Sequence, residues 1–397
     1  MNNIQGTMNM KKIKLLNKIS QVGLDELDRD LYVYGEEMAD PDAILVRSAV
    51  MHDMTFGDNL LAIARCGAGV NNIPIDACSK KGIVVFNTPG ANANGVKELA
   101  LAALLLASRN ISGGIAWADS LKGTTGVAKA VEAGKSAFVG PELKGKTLGV
   151  IGLGAIGGLV ANAAVSLGMN VVGCDPYLTV DSAWSLSRSI KKASTFDEIY
   201  TVSDYITVHV PSTDETRGMF CADSFAKMKD GVRIINLSRA DLVNVPDMKE
   251  AIANGRVACY VTDFPTDDTV GCEGIITIPH LGASTPESED NCAKMAVRQL
   301  RDYIENGTIN NSVNYPKVIL ERTDKHRIIV LHENIPNIVA SISSALSKEG
   351  INIENMLNRS RGNNACTVID TGDDIKDSVI DEIKSLPSIL SVRLIKD

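Results

Sequence analysis

The stretch Gly149 to Pro176, GVIGLGAIGGLVANAAVSLGMNVVGCDP, constrains this chain more than any other. Val150 and Ile151 lead straight into Gly152-x-Gly154-x-x-Gly157; a small-residue run continues to Leu167, and Gly168 breaks it. A second apolar run, Val171 to Cys174, ends on Asp175. The order is strand, glycine turn, helix, strand, acid: one half of a dinucleotide-binding unit. Gly152 permits the tight turn, Gly154 lets backbone N–H groups approach a pyrophosphate, and Gly157 lets the helix pack close to the strand. The helix N-terminus, opening at Ala155 and Ile156, turns its partial positive charge toward the phosphates. Asp175 lies eighteen positions beyond Gly157. There a carboxylate accepts hydrogen bonds from a ribose diol and repels a 2′-phosphate, so NAD is expected rather than NADP. An ordinary glycine-rich turn would leave Asp175 without a task.

A chain of 397 residues has room for two or three domains. Hydrophobic residues make up 45%, enough for sizeable cores, and a formal net charge of −8 disfavours nucleic-acid binding. No apolar run reaches the length of about 18 residues that a membrane span needs. The first nine residues read as a disordered lead-in, and the N-terminus shows neither an apolar signal core nor a small-residue cleavage site. The eight cysteines form no CxxC and no zinc spacing with histidine. They are expected to pack as small hydrophobes in a reducing cytoplasm, with no metal site.

Upstream of the glycine turn lies a separate α/β pattern. Ala43 to Val46 is a buried-strand run delivering Arg47-Ser48, and Arg65 to Asn72 is a turn containing Gly67, Gly69 and Val70. Ile83 to Phe86 is another strand, and a mostly apolar helix runs from Val96 to about Ala107. Residues 112–147 carry little strand signal and read as an arm or connector for a subunit interface. Downstream of Asp175, four apolar runs end in His209, Arg239, Asp263 and His280. In a parallel sheet these ends line one edge, beside the cofactor. The helix from Pro286 to about Asn306 is amphipathic, and a linker follows. From His326 the rhythm becomes βαββαβ, a small α+β module.

These residues resemble the D-isomer-specific 2-hydroxyacid dehydrogenases. Within that family the likeness is strongest to the branch that acts on 3-phosphoglycerate and ends in an ACT module. It rests on GxGxxG with Asp175, His209-Val210-Pro211 with Thr213 and Glu215-Thr216, Asn236-x-x-Arg239, and Pro279-His280-Leu-Gly-Ala-Ser-Thr. The resemblance implies a Rossmann-type NAD domain (101–283) inserted in a flavodoxin-like α/β substrate domain (11–100 and 284–316), with the site in the cleft between. The C-terminal α+β module (326–397) is then ACT-like. It further implies NAD-dependent oxidation of 3-phospho-D-glycerate to 3-phosphohydroxypyruvate, the first step of L-serine biosynthesis, in a homodimer or homotetramer.

Hydride transfer from a 2-hydroxy acid needs a base for the hydroxyl proton and a cation for the carboxylate and the developing carbonyl. His280 suits the first role and Arg239 the second. By resemblance Val210, Pro211, Ser238 and Asp263 lie along the cofactor, and His209 supports that side rather than acting as the base. The family's Glu partner of the catalytic histidine, in a Phe-Pro-x-Glu-Pro segment, is replaced within Phe264-Pro265-Thr266-Asp267-Asp268, so Asp267, one methylene shorter, is expected to pair with His280, with Asp263 the next candidate for that role. Asp263 is offset by one position from the family's strand-end Asp, and Ala240 stands where Gly is common after the Arg. Arg47 and Ser48 are expected to grip the phosphate, and the backbone at Gly69 and Val70 the carboxylate. By the same resemblance His332 and Asn334 of one subunit and Asn352 of its neighbour are expected to hold L-serine as an effector, with Asn337 in place of a usual Gly. Two other functions stay open at this point: a glycerate or hydroxypyruvate reductase without phosphate selectivity, and a non-catalytic NAD-sensing binding protein. Arg47 and the C-terminal module weigh against the first, Arg239 and His280 against the second.

Overall fold

Strands buried on both faces read as short, nearly continuous apolar runs, and that pattern builds the first sheet. A computed structural model describes residues 10–323 and 326–396; the expected lead-in lies outside the described residues. Lys11–Leu16 (β1), Tyr32–Gly35 (β2), Ala43–Val46 (β3), Ala62–Arg65 (β4) and Val84–Phe86 (β5) pair in the order β2-β1-β3-β4-β5. Every pairing is parallel, the doubly wound order of the flavodoxin type. β1 and β2 carried no clear sequence signal. The lysines and the partly exposed positions of KKIKLL dilute its period, and Ile13 is its one fully buried residue.

The second sheet is also wholly parallel. It comprises Thr147–Ile151 (β6), Asn170–Cys174 (β7), Lys191–Lys192 (β8), Tyr205–Val208 (β9), Val232–Asn236 (β10), Val257–Thr262 (β11) and Ile275–Thr277 (β12). The order β12-β11-β10-β9-β6-β7-β8 reverses direction at β6, which feeds the glycine turn. Ligands of doubly wound sheets sit beyond the strand carboxyl ends at such a point. The helix Ala93–Ser108 lays Val96, Ala100, Ala103, Leu104 and Ala107 into the core of this sheet, together with Val160 and Ala164 of the helix Ala155–Ser166.

The last sheet is antiparallel: His326–Glu333 (β13), Ile353–Arg361 (β14), Asn364–Thr371 (β15) and Ile389–Ile395 (β16), in the order β14-β15-β13-β16. With the helices Ile338–Lys348 and Asp377–Ser385, it realises the expected βαββαβ order. Alternation along β13 and β15 makes two buried faces. Ile328, Val330 and Ile369 face the module's own helices. Ile329, Leu331, Cys366 and Val368 instead join one core with Phe86, Tyr303, Tyr315 and Val318.

The chain divides into two compact units: up to Ala91 together with Glu289 onward, and Asn92–Ser288. Two packing relations underlie this division. The helix Ala93–Ser108 belongs to the cofactor sheet it packs on, and the C-terminal module shares the core of the first unit. Residues 111–120, 127–134 and 135–138 of the expected arm are helical, and none of these residues is buried.

Arg327 ties the module in place. It and Asp370 are each 1% exposed, bonded through Nε at 2.6 Å and Nη2 at 2.9 Å. Its other three N–H groups donate to the carbonyls of Asn306, Leu320 and Glu321 at 2.9, 3.0 and 2.8 Å. All five guanidinium donors are thus used. Arg327→Met leaves Asp370 buried and uncompensated and should cost about 3–5 kcal/mol in urea denaturation. Arg327→Met/Asp370→Leu should recover much of that loss, because two apolar groups replace the pair.

Candidate active site

The glycine turn has the shape the sequence predicts. Gly152 has φ +87°, and a Cβ there would lie 2.6 Å from the His209 carbonyl oxygen. A Cβ on Gly157 would stand 1.8 Å from the Gly152 carbonyl oxygen, so only glycine lets this helix reach the strand. Gly154 is different: a Cβ would meet nothing within 4 Å, leaving the approach to the turn open. Gly154 is also the N-cap of the helix Ala155–Ser166 and supplies no side-chain cap. The first-turn N–H groups at Ala155, Ile156 and Gly157 therefore remain available to an anion. Asp175 accepts from the Leu153 N–H at 2.8 Å and the Tyr177 N–H at 2.9 Å, one bond per oxygen. This fixes the carboxylate at the end of β7 with lone pairs to spare for a diol. The residues fit a dinucleotide.

Along the same edge, β9, β10, β11 and β12 are consecutive neighbours, and their ends deliver His209, Arg239, Asp263 and His280. The His209 Nε2 bonds the Thr207 hydroxyl at 2.9 Å, while its Nδ1 is buried without a partner. Desolvation pushes its pKa down to about 4, so the ring is neutral near pH 7. The turn after Val210 and Pro211 is closed by the Thr216 hydroxyl donating to the Pro211 carbonyl at 2.7 Å. Ser238 donates through Oγ to the Val208 carbonyl at 2.7 Å, tying the exit of β10 to that of β9.

Asn236, fully buried, shapes the turn that carries Arg239. Its Oδ1 accepts from the N–H groups of Ser238 and Arg239 at 3.1 and 3.4 Å, and its Nδ2 donates to the Arg239 carbonyl at 2.8 Å. The Asn236-x-x-Arg239 spacing is the sequence trace of this device. Arg239 is exposed, with Nη1 donating to the Ser238 carbonyl at 2.6 Å and no carboxylate partner among the described residues. Ala240 does not require a positive φ, so its Cβ is accommodated.

The expected pairing of Asp267 with His280 is not what the structure contains. Asp267 is exposed and makes no hydrogen bond to His280. The reason lies in its turn, which closes on itself through the Thr266 N–H to the Thr269 hydroxyl at 2.9 Å and the Thr269 N–H to the Thr266 carbonyl at 3.0 Å. Asp263 engages the histidine loop instead. Both its oxygens are taken there, by the N–H groups of Leu281 at 2.7 Å and Gly282 at 2.8 Å. The His280 ring lies 5.1 Å from the ring of Phe264, a neighbour that the sequence motif did not flag.

In the other unit, Arg47 leaves β3 with Nη2 2.6 Å from Oε1 of Glu289, both side chains partly exposed. The N–H groups of Ser48 and Ala49 donate to Oδ1 of Asn17 at 2.9 and 2.7 Å. Asn17, itself at φ +71°, and Glu289 were not singled out in the sequence because neither stands in a motif. Among the described residues no backbone carbonyl accepts from the N–H groups of Gly69 or Val70. In the module, His332 is 2% exposed and both ring nitrogens are engaged, Nε2 with the Thr367 hydroxyl at 2.9 Å and Nδ1 with the Glu333 carbonyl at 2.8 Å. Asn334 donates through Nδ2 to the Gly362 carbonyl at 3.1 Å, and Asn352 donates its N–H to Asp373 at 3.3 Å; both are exposed. Asn337 adopts φ +70°, the left-handed conformation that a glycine would take.

Comparison with known proteins gives a consistent picture. The NAD-binding domain of the D-isomer-specific 2-hydroxyacid dehydrogenases matches residues 101–282. D-3-phosphoglycerate dehydrogenase 1 of Saccharomyces cerevisiae is 30% identical over 91% of this chain and 80% of its own length. D-3-phosphoglycerate dehydrogenase of Archaeoglobus fulgidus is 36% identical over 70% of this chain, which spans about half (52%) of that protein. Among solved structures, NAD+-bound 3-phosphoglycerate dehydrogenase of Entamoeba histolytica aligns with a TM-score of 0.60 at 26% identity, covering 77% of this chain and 99% of its own.

Two outcomes follow from this geometry. Asp175→Ala should narrow the preference for NAD over NADP in kcat/KM, because the diol acceptor and the charge opposing a 2′-phosphate are both lost; an unchanged ratio would misplace Asp175. His209 binds its proton more weakly when folded than the ordinary pKa of 6.5, so stability should decline as pH falls from 6.5 toward about 4. His209→Asn should flatten that part of the stability profile.

Proposed function

Because the chain belongs to the D-isomer-specific 2-hydroxyacid dehydrogenases, we propose that its site oxidises 3-phospho-D-glycerate to 3-phosphohydroxypyruvate with NAD. The observation that carries this reading is the single sheet edge on which β10 presents Arg239 and β12 presents His280, beside the glycine turn at the end of β6. The glycine turn and Asp175 would hold NAD, which would supply the hydride acceptor. His280 takes the hydroxyl proton, and exposure leaves its ring free to do so. Among the described residues Arg239 has no carboxylate partner to compete for it; it holds the substrate carboxylate in a fork of N–H donors, drawing charge toward the forming carbonyl. Asn236 holds the backbone turn that carries that fork.

Arg47 is the proposed phosphate anchor with the Ser48 hydroxyl beside it, since the Ser48 N–H is taken by Asn17; the N–H groups of Gly69 and Val70 are the proposed donors to the carboxylate. The helices Ile111–Ser120 and Val127–Gly134 bury none of their residues, which supports a homo-oligomer. The eight cysteines are all free, which supports a reducing cytoplasm. L-serine is the proposed effector; since His332 is fully engaged, binding rests on Asn334 and Asn352.

A steady-state assay with NAD and 3-phosphoglycerate, set against glycerate, tests the main reading. Equal use of both would favour a reductase without phosphate selectivity, and NAD binding without turnover would favour a sensor. His280→Asn should retain NAD binding and lower kcat about 10²–10⁴-fold. Arg47→Ala should raise KM for 3-phosphoglycerate by the equivalent of about 1.5–3 kcal/mol while sparing a non-phosphorylated substrate. Calorimetric titration of L-serine into the intact chain and Asn334→Ala, beside the activity assay, tests regulation; no heat at millimolar concentration and unaltered activity would leave the module an assembly device.

A further inference from the structure

His280 stands on a backbone with φ +54°, a left-handed conformation that a side chain other than glycine adopts only where its surroundings hold it. The surroundings here are three consecutive residues at the end of β11. The Thr262 carbonyl accepts the Ile278 N–H at 2.8 Å. The Asp263 carboxylate accepts the N–H groups of Leu281 and Gly282 at 2.7 and 2.8 Å. The Phe264 ring lies against the imidazole, centroids 5.1 Å apart and planes at 57°. The turn from Ile278 to Gly282 is thus moulded, residue by residue, on β11.

Asp263 is the centre of that mould. It is 1% exposed, and its two oxygens meet two backbone donors, short charge-assisted bonds that a carboxylate alone can make as a pair. Gly282 allows the approach, since a Cβ there would lie 3.1 Å from Oδ2. The Asp263 N–H donates to the Asn236 carbonyl at 3.2 Å, and the Asn236 side chain holds the Arg239 turn. One buried carboxylate therefore connects the turns of the proposed base and the proposed carboxylate clamp.

We propose that Asp263 is the positioning residue of His280, acting through the backbone of residues 281 and 282, and that it takes over the orienting task expected of Asp267. The inference rests on the reading of His280 as the acid–base group. The Asp263 carboxylate bonds the backbone of the turn and not the imidazole. It fixes where the imidazole stands, and Phe264 limits how the ring turns.

The test is Asp263→Asn, which turns one acceptor into a donor facing a backbone N–H, assayed with NAD and 3-phosphoglycerate. A second variant, Gly282→Ala, presses the turn away from the carboxylate without removing the buried charge, so a folding failure of the first does not end the test. Both should lose about 10²-fold in kcat, the scale of a misplacement near 1 Å. NADH affinity by fluorescence titration and KM for substrate should stay within about threefold, and the solvent deuterium isotope effect on kcat should rise as proton transfer becomes limiting. NADH affinity falling in step with kcat would make Asp263 a cofactor contact and overturn the proposal. So would unchanged kcat in both variants, or a loss confined to kcat in Asp267→Asn instead. A wild-type chain that turns over no 2-hydroxy acid would remove the dehydrogenase reading itself, and this inference with it; an active wild type beside unaffected variants removes this inference alone.

Discussion

In a parallel sheet every strand leaves at the same edge, and the chemistry of this chain depends on that constraint. Residues distant in sequence become neighbours because β9, β10, β11 and β12 run side by side and stop together. The reversal of strand order at β6 opens room at that edge, and the close contact of Gly157 with the Gly152 carbonyl sets the helix beside it. A side chain at Gly157 would push the helix off the strand, and one at Gly152 would strike the His209 carbonyl at the exit of β9. The edge itself is stiffened by side chains that bond across strand exits: Ser238 to Val208, Asn236 to the Arg239 turn, and Asp263 to the histidine turn. Arg239 and His280 are exposed, while Asn236 and Asp263, which place their turns, are buried. This division lets the site be both accessible and fixed.

The C-terminal module shows a second use of strand geometry. Because side chains alternate along β13 and β15, one sheet serves two cores: its own helices on one face, and Phe86, Tyr303 and Tyr315 on the other. Burial of Ile329, Leu331 and Val368 on that second face is worth roughly 1.5–3 kcal/mol each. The polar attachments point the same way. Arg327 and Arg393 reach the carbonyls at the end of the helix Pro286–Asn306, where the helix dipole favours a cation. That helix begins beside Glu289, the partner of Arg47. The module is therefore packed onto the framework that carries the proposed phosphate anchor.

Much of this was legible in the chain itself. The glycine turn, the acid after β7, the apolar runs of β3, β5, β6, β7 and β9 to β12, and the βαββαβ rhythm all appear as periodicity and punctuation. The first two strands did not, since lysines interrupt β1. The histidine partner did not either. Asp267 occupies the motif position, but its turn closes through Thr266 and Thr269 and leaves it in solvent. Asp263, one residue off the family pattern, faces the loop. Glu289 and Asn17 stood in no motif, because a contact between a helix and a strand end leaves no local trace.

The sequence by itself determined which groups can do chemistry and which strand ends deliver them, because side-chain type and apolar spacing are local properties. Only the tertiary structure decided which carboxylate meets the histidine loop, that the module shares the first unit's core, and that His332 spends both nitrogens inside the module. Those outcomes depend on distances between residues far apart along the chain. Such distances arise when sheets and helices pack, and a difference of one residue in a turn is enough to send one aspartate inward and another into water.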